Sequence, residues 1–409
     1  MTALLDQLLA QAAPTQHAAV QQLRTGGLPG ARDERWKYSS LRALNQRSFA
    51  AAPARHAVVG DVLRARIEAL PARIVLVDGW YAPSLSDISR IAPHLQCSAL
   101  DAAAIPAPPH LPFALAATAA AQSRLRVDVS AGAAIEQTLH LVSVITAAAT
   151  DTVVQQTIAL RLGDGARLRV ARHRLHEDAA STVFANEWRT FDIGARAQLT
   201  WIEHGKDGER SSAVTGCSAT LGSDARLDFA EVAAGAGLYR HDLDVALDGE
   251  RAELLVRGCA ALGGRRHADV AIDVRHRARN TRADIVWRGL ADQRGHAVFG
   301  GRLIIESGAD GSDTALSNKN LLLSAHAEID TRPVLEIYAD EVKAAHGATV
   351  GRLDERSLFY LRSRGLPEAE ARRMLTLAFA REPLMQVADE ALRDTLLAAL
   401  ARSLPKLDA

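Results

Sequence analysis

A motif of the form Ala-x-Leu or Ala-x-Ile recurs about every thirty residues through the middle of the chain. Its clear copies begin at Ala166, Ala197, Ala225, Ala252 and Ala283, with weaker copies at Ala133 and Ala327. The clear copies are 31, 28, 27 and 31 residues apart, and strand-like alternation of polar and apolar residues follows them. A fixed period with about two strands per repeat predicts a stacked β-solenoid, whose coils bury their apolar faces against neighbouring coils.

An antiparallel β-sandwich is the alternative architecture for such a strand-rich region. A sandwich would be expected to contain tight hairpins built on Asn-Gly turns. Residues 121–340 contain no Asn-Gly pair and little helical pattern. The repeat therefore favours a mainly β protein with a solenoid core.

The residues before this region predict a head that is mostly helical. Apolar side chains at Leu4, Leu5 and Leu8 form one helical stripe, and residues 73–78 read as a short buried strand. A proline-rich stretch at 106–112 resembles a linker. We therefore expect an N-terminal helical head with a small α+β element over residues 1–120.

The pattern becomes helical again near the end of the chain. Asp354 is placed to cap a helix that ends at Gly365, and Pro367 opens the next helix. This change of period predicts a solenoid core over residues 121–340 and a C-terminal helical domain over residues 341–409.

Composition excludes several classes of protein. The 409 residues carry 48 basic and 48 acidic side chains, which leaves no broad positive field for nucleic acid or an anionic membrane. The three cysteines lie 120 and 42 residues apart, so they form neither a metal knuckle nor a dense disulfide framework. With no secretory signal and no apolar run of membrane-spanning length, we expect a soluble cytoplasmic protein.

Motifs for common enzyme chemistry are mostly missing. The chain has no P-loop signature and no HExxH. His173 and His176 are three residues apart, an odd offset that puts them on opposite faces of a strand. Even-spaced aspartates share a strand face and could act as a glycosidic acid and base, although the outer face of a sheet is their commoner place. These pairs, Asp242 with Asp244 and Asp269 with Asp273, keep a β-helix carbohydrate-active enzyme as the alternative function.

His346 stands apart from the other histidines. It precedes the flexible sequence Gly347–Gly351, where the solenoid pattern gives way to the helical tail. An imidazole before a glycine turn can be presented at an interface as a metal ligand or proton carrier, or can satisfy a backbone carbonyl.

Several segments resemble one known family. The longest runs from Thr331 to Gly365, and the others are Asn318–Ser324, Gly289–Gly300, Glu34–Tyr38, and Asp78-Gly79 with Leu85-Ser86. Together they resemble the SufB/SufD family, the paired scaffold subunits of the Suf iron–sulfur cluster assembly system. The short, cysteine-poor chain is more similar to the SufD branch than to SufB.

The resemblance implies a fold, partners and a cargo. The expected fold is a right-handed parallel β-helix between helical ends. The expected partners are SufB, paired through the β-helix edges, and the SufC ATPase, bound to the C-terminal helices, with a SufD homodimer as another assembly. The subunit itself is then non-catalytic and holds no permanent cofactor; a transient iron–sulfur cluster forms at the subunit interface, and reduced flavin is a candidate component of the complex.

The resemblance also implies roles for particular residues. His346 falls where the family places a histidine that helps to hold the nascent cluster opposite a SufB thiolate. Ala344 stands where many members have cysteine, so this strand offers no thiolate there. The candidates for SufC docking are Leu358, Phe359, Tyr360, Leu361 and Arg364, for which packing between tail and core is the alternative role.

Overall fold

Two large β-sheets dominate the structure, which is a computed structural model. It describes residues 3–30, 32–52, 58–100, 105–146, 151–178, 180, 182–205 and 207–404. Within these residues each sheet has ten strands, which we call sheet A and sheet B.

The strands alternate between the sheets along most of the chain. Sheet A contains β1 (Ala50–Ala51), β4 (Leu95–Ala99), β5 (Ser123–Val129), β7 (Thr152–Leu162), β9 (Phe184–Ile193), β11 (Ser212–Leu221), β13 (Leu238–Leu247), β15 (His267–His276), β17 (His296–Ile305) and β19 (Glu328–Ile337). Sheet B contains β2 (Arg73–Val77), β3 (Trp80–Tyr81), β6 (Leu139–Ile145), β8 (Arg167–His176), β10 (Gln198–Gly205), β12 (Arg226–Ala233), β14 (Glu253–Leu262), β16 (Arg282–Ala291), β18 (Asp313–Leu322) and β20 (Lys343–Gly351).

Each coil of the solenoid contributes one strand to each sheet, from β5 and β6 to β19 and β20. Neighbouring strands of these coils pair in parallel, as β10 does with β12 through Gln198 and Arg226. The predicted parallel β-solenoid is therefore confirmed, and the clear Ala-x-Leu copies open successive strands of sheet B. The weak copy at Ala327 differs from the clear copies, because it precedes β19, which belongs to sheet A.

The alanine of each repeat marks a tight corner. Ala166, Ala197, Ala225 and Ala252 are fully buried. The residue before each of the last three alanines has a positive φ of 57° to 59°, which turns the chain sharply into the next strand. A small side chain is needed at this corner because the neighbouring coils approach closely there.

Helices cover the outer faces of both sheets. The helices are α1 (Ala3–Leu9), α2 (His17–Gly26), α3 (Arg42–Asn45), α4 (Asp61–Glu68), α5 (Pro112–Ala120), α6 (Glu355–Ser363), α7 (Glu368–Arg381) and α8 (Glu390–Ser403). Apolar residues of α1 and α5 pack on sheet A, α4 packs on the first strands of sheet B, and α7 and α8 pack further along sheet B. No helix of the described ranges is long and apolar enough to cross a bilayer.

The ends of the chain join the solenoid closely. In the head, β2 pairs with β6 and β4 pairs with β5. At the other end β20 pairs with β18, which carries the solenoid to Gly351, beyond the division placed at residue 340. The tail helices begin as the sequence indicates, since the Asp354 side chain accepts bonds from two backbone amides of α6.

Candidate functional site

The solenoid ends in an uncovered coil. Within the described residues β19 is the last strand of sheet A and β20 the last strand of sheet B. Each pairs with one neighbour only, β17 and β18 respectively. The outer edges of these two strands are therefore open to pairing with another chain.

His346 lies on the inward face of this last coil. Its register partner on β18 is Leu316, which belongs to the solenoid core, and partners in a parallel pair share a face. Leu316 is buried whereas His346 is exposed, because no further coil lies above it. Ala344 shares this face and is in register with Thr314.

Exposed apolar side chains lie on and beside the last two strands of the solenoid. Val350 is 44% exposed, and Ile337 and Tyr338, at the end of β19, are also exposed. Clustered exposed apolar residues are typical of an interaction surface. We call the surface formed by β19, β20 and Tyr338 the open end.

Buried amides fix the position of β20. The Asn320 Nδ2 donates to the Thr349 carbonyl of β20 at 3.0 Å and to the Asn318 Oδ1 at 2.7 Å. The Thr331 hydroxyl of β19 donates to the same Asn318 oxygen at 2.7 Å. These bonds join β18, β19 and β20 beneath the open end.

The C-terminal helices present a second exposed surface. Phe359 is 73% exposed, Tyr360 is exposed, and the Arg364 guanidinium lies 5.2 Å from the Tyr360 ring centroid. Leu361 is half-buried and lines a groove between α6 and α7. Leu358 is buried, so it belongs to the packing of α6 and does not lie on this surface.

We call the surface between α6 and α7 the tail groove. It is open and largely apolar. Its walls are formed by Arg356, Ser357, Tyr360, Leu361, Met374, Leu375 and Ala378. Of the five residues predicted for partner binding, Tyr360 and Leu361 line this groove, whereas Phe359 and Arg364 are exposed but do not line it. His346 lies on a different surface.

The aspartates that would serve glycosidic chemistry are held by arginines. Asp242 accepts from Arg240 at 2.7 Å, and Asp269 accepts from the same guanidinium. Arg35 of the head pairs with Asp273, and Arg275 is 2.6 Å from Asp244. These carboxylates therefore serve as ion-pair partners on the outer face of sheet A, and Asp242 and Asp273 also bind Arg35 of the head.

The two neighbouring histidines lie on opposite faces of β8, as their odd spacing predicts. His176 points inward, and its Nε2 lies 2.5 Å from the Asp207 carboxylate. His173 lies on the outer face, between His140 and His204 at 2.9 and 3.1 Å. The described ranges contain no group of three His, Cys, Asp or Glu side chains placed to hold a metal ion.

The thiols do not form a ready thiolate site. Burial raises the pKa of Cys97 to about 11 and that of Cys259 to about 12, so both are protonated at neutral pH. Cys217 is buried inside the solenoid.

A cluster of buried ionic groups inside the solenoid was missed by the sequence analysis. Glu203 accepts from Arg172 at 2.9 Å and lies 3.0 Å from Arg189, and Arg172 also pairs with Glu187. Burial opposes charge on Glu203, but the two arginines outweigh it and hold the pKa of that carboxyl well below its usual range.

The same cluster continues to the next coils. The His241 Nδ1 lies 2.7 Å from Glu231, whose other oxygen accepts from the Tyr239 hydroxyl at 2.6 Å. Burial disfavours an imidazolium, yet Glu231 and then Glu203 raise the pKa of His241 to about 10. We call these residues, with Arg172, Glu187, Arg189 and Glu203, the interior ion cluster.

A comparison with known protein families finds a match that covers both the coils and part of the tail. Residues 119–379 match the model of the SUF system FeS cluster assembly, SufBD core domain. The chain belongs to the SufBD family. The match covers the solenoid from its first coils, the open end, and α6 with most of α7.

Individual relatives agree with the family model. The chain is 30% identical over 400 residues to the iron–sulfur cluster assembly protein SufD of Escherichia coli K12, covering 96% of this chain and 93% of that protein. It is 28% identical to the SufBD family protein slr0076 of Synechocystis, over 88% of this chain and 84% of the relative. It is 31% identical to Rv1462 of Mycobacterium tuberculosis over 52% of this chain and 55% of that protein. The likeness identifies a SufD-type member.

Proposed function

We propose that this SufBD family member is a non-catalytic scaffold subunit on which a nascent iron–sulfur cluster forms at an interface with SufB. The observation that carries the proposal is the position of His346, exposed on the inward face of an uncovered coil. A partner that covers the open end would bury this imidazole at the interface. Imidazole is a suitable ligand for iron.

The cluster is the cargo of this scaffold, and His346 supplies one ligand to it. The neighbouring inward residue, Ala344, has no donor atom, so β20 offers one imidazole and no thiolate. SufB is proposed to supply the thiolate. Joint ligation makes cluster formation depend on the assembled pair.

The open edges support pairing with SufB. The backbone groups of β19 and β20 that face away from the solenoid can form main-chain hydrogen bonds with a second solenoid, and the exposed apolar side chains add buried area. A second copy of this chain would meet the same edges, so a homodimer competes with the SufB pair.

Replacing Val350 with lysine should break the SufB pair. A buried ammonium at the open end has no partner and costs desolvation energy, so we expect copurification of SufB to fall about tenfold or more. The test is co-expression of both subunits with SufC, followed by native mass measurement. The matched control is Val62→Lys, which changes an exposed valine of the head.

Retention of SufB by Val350→Lys would contradict pairing through the open end. Recovery of this chain from wild-type cells as a homodimer without SufB would assign the open end to a second copy.

The tail groove is proposed to receive the SufC ATPase. The exposed Tyr360 side chain lines this apolar groove, and exposed aromatic residues are enriched in binding hot spots. Tyr360 also lies against Arg364, which places a cation at the rim. ATP chemistry then belongs to SufC.

Replacing Tyr360, which lines the groove, with alanine should weaken SufC binding by about thirtyfold, since a central aromatic anchor typically contributes about 2 kcal/mol or more. The measurement is titration of SufC into the purified pair, monitored by calorimetry. Met385→Ala, which truncates an exposed apolar side chain outside the groove, should leave the affinity unchanged. Equal affinity of Tyr360→Ala and the parent would place SufC elsewhere.

A further inference from the structure

One buried arginine fastens the tail to the solenoid. Arg288 of β16 is 1% exposed although it is charged. Its Nε donates to the Glu382 Oε2 at 2.8 Å, and its Nη2 is 2.7 Å from the same oxygen. Its Nη1 donates to the backbone carbonyls of Trp287 at 2.9 Å and Ser317 at 3.3 Å. A single guanidinium thus joins the end of α7 to β16 and β18.

Helix α7 extends from the tail groove to this guanidinium. Met374 and Ala378 line the groove, whereas the ring of Phe379 has its centroid 5.8 Å from the Arg288 guanidinium. Glu382 follows directly after the last residue of the helix. Since a packed helix of 14 residues moves as a stiff element, a displacement at the groove is carried to Glu382.

The strand that Arg288 contacts is the neighbour of β20. Ser317, whose carbonyl accepts from Arg288, is in register with Gly347. The preceding residue, Leu316, is in register with His346. The distance from the tail groove to the candidate ligand is therefore spanned by hydrogen-bonded and packed elements without a gap.

We propose that the Arg288–Glu382 pair couples the tail groove to the open end, so that movement of α7 changes the position of β20. The pair suits this role because separation would leave a buried, uncompensated guanidinium. Helix and strand therefore move together. Arg288 and Glu382 are positioning residues, since neither reaches the open end. The inference rests on the proposed function, in which the ATPase binds at the tail groove.

The test compares Glu382→Gln with the parent in the assembled complex with SufB and SufC. Glu382 is about half exposed, so its amide variant should fold. We expect unchanged SufC binding and ATP hydrolysis, with about fivefold less cluster formed per ATP hydrolysed, a typical size for coupling between sites. Glu370→Gln, an exposed glutamate on the same helix, is the matched control and should behave as the parent.

Hydrogen exchange provides a readout that a purely structural role would not change. In the parent complex, ATP should alter amide exchange in residues 343–351, and in Glu382→Gln this response should be lost while exchange without nucleotide stays the same. No response in the parent, or an unchanged response and cluster yield in the variant, would overturn the coupling. Loss of SufC from Glu382→Gln alone would also overturn it, because the pair would then serve docking. Failure of SufC to bind the parent would instead contradict the proposed function.

Discussion

Glu203→Gln should lower the free energy of unfolding by about 3–5 kcal/mol, the usual cost of removing one partner from a buried ion pair. Glu203 is buried with Arg172 and Arg189, and its carboxylate also accepts from the Trp201 indole at 3.2 Å. The amide keeps the shape of the side chain but removes its charge. Two guanidiniums would then share too little negative charge inside the solenoid.

Urea unfolding monitored by circular dichroism measures this change in the free energy of unfolding. The matched control is Glu250→Gln, which removes a solvent-exposed ion pair with Arg251, so its cost should be small compared with that of Glu203→Gln. Equal costs for the two variants would show that the interior ion cluster does not stabilise the coils.

Acidification should destabilise the protein through His140, His173 and His204, which form a row of neighbouring histidines on the outer face of sheet B. We call them the histidine row. Burial, followed by the charge on neighbouring imidazoles, lowers the pKa of His173 to about 2. Burial and then Arg402 lower the pKa of His204 to about 4, and burial lowers that of His140. Among the charged groups acting on this row are Arg66 of α4, Arg402 of α8, and Arg172 and Glu203 of the strands.

The direction of this pH effect follows from the lowered pKa values of the histidines. The unfolded chain takes up these protons below about pH 6.5, whereas the folded chain does not, so stability is full above that pH and falls as the pH drops toward the folded values. Lowering the pH from 7 to 5 should reduce the free energy of unfolding by about 4 kcal/mol through His173 and His204 together, which is about 2 kcal/mol for each histidine.

His204→Gln isolates one of these contributions. The variant should lose about 2 kcal/mol less than the parent between pH 7 and pH 5, measured by urea unfolding at each pH. Exposed His326→Gln is the control and should follow the parent. Identical pH dependence in His204→Gln and the parent would mean that the folded row accepts protons freely.

The solenoid could be predicted from sequence because its corners repeat. The buried alanines recur at each coil, and the helix cap at Asp354 is a local signal. The interior ion cluster is harder to predict, because charged residues at alternate positions of a strand most often lie on the outer face of a sheet. Counting from the core residue Leu168 shows that Arg172 has the same parity and so faces inward, a signal that was present in the sequence.

Contacts between distant segments could not be predicted in the same way. Arg35 of the head pairs with Asp273, and Arg288 pairs with Glu382 of the tail, across 238 and 94 residues. Such pairs depend on how helices dock on a finished sheet, which no local pattern encodes. For His346, the register with Leu316 added what the sequence lacked, namely the face on which the imidazole lies.

The most direct test of the proposed cluster site is nitrogen hyperfine spectroscopy on the assembled complex. With SufB and SufC bound, the reduced cluster of the parent complex should show coupling to an imidazole nitrogen. In His346→Ala this coupling should be absent, and the iron and sulfide content should fall about tenfold. The protein subunits of the variant complex should remain assembled. His326→Ala should keep both. A nitrogen signal and a cluster yield that survive in His346→Ala would contradict ligation by the open end.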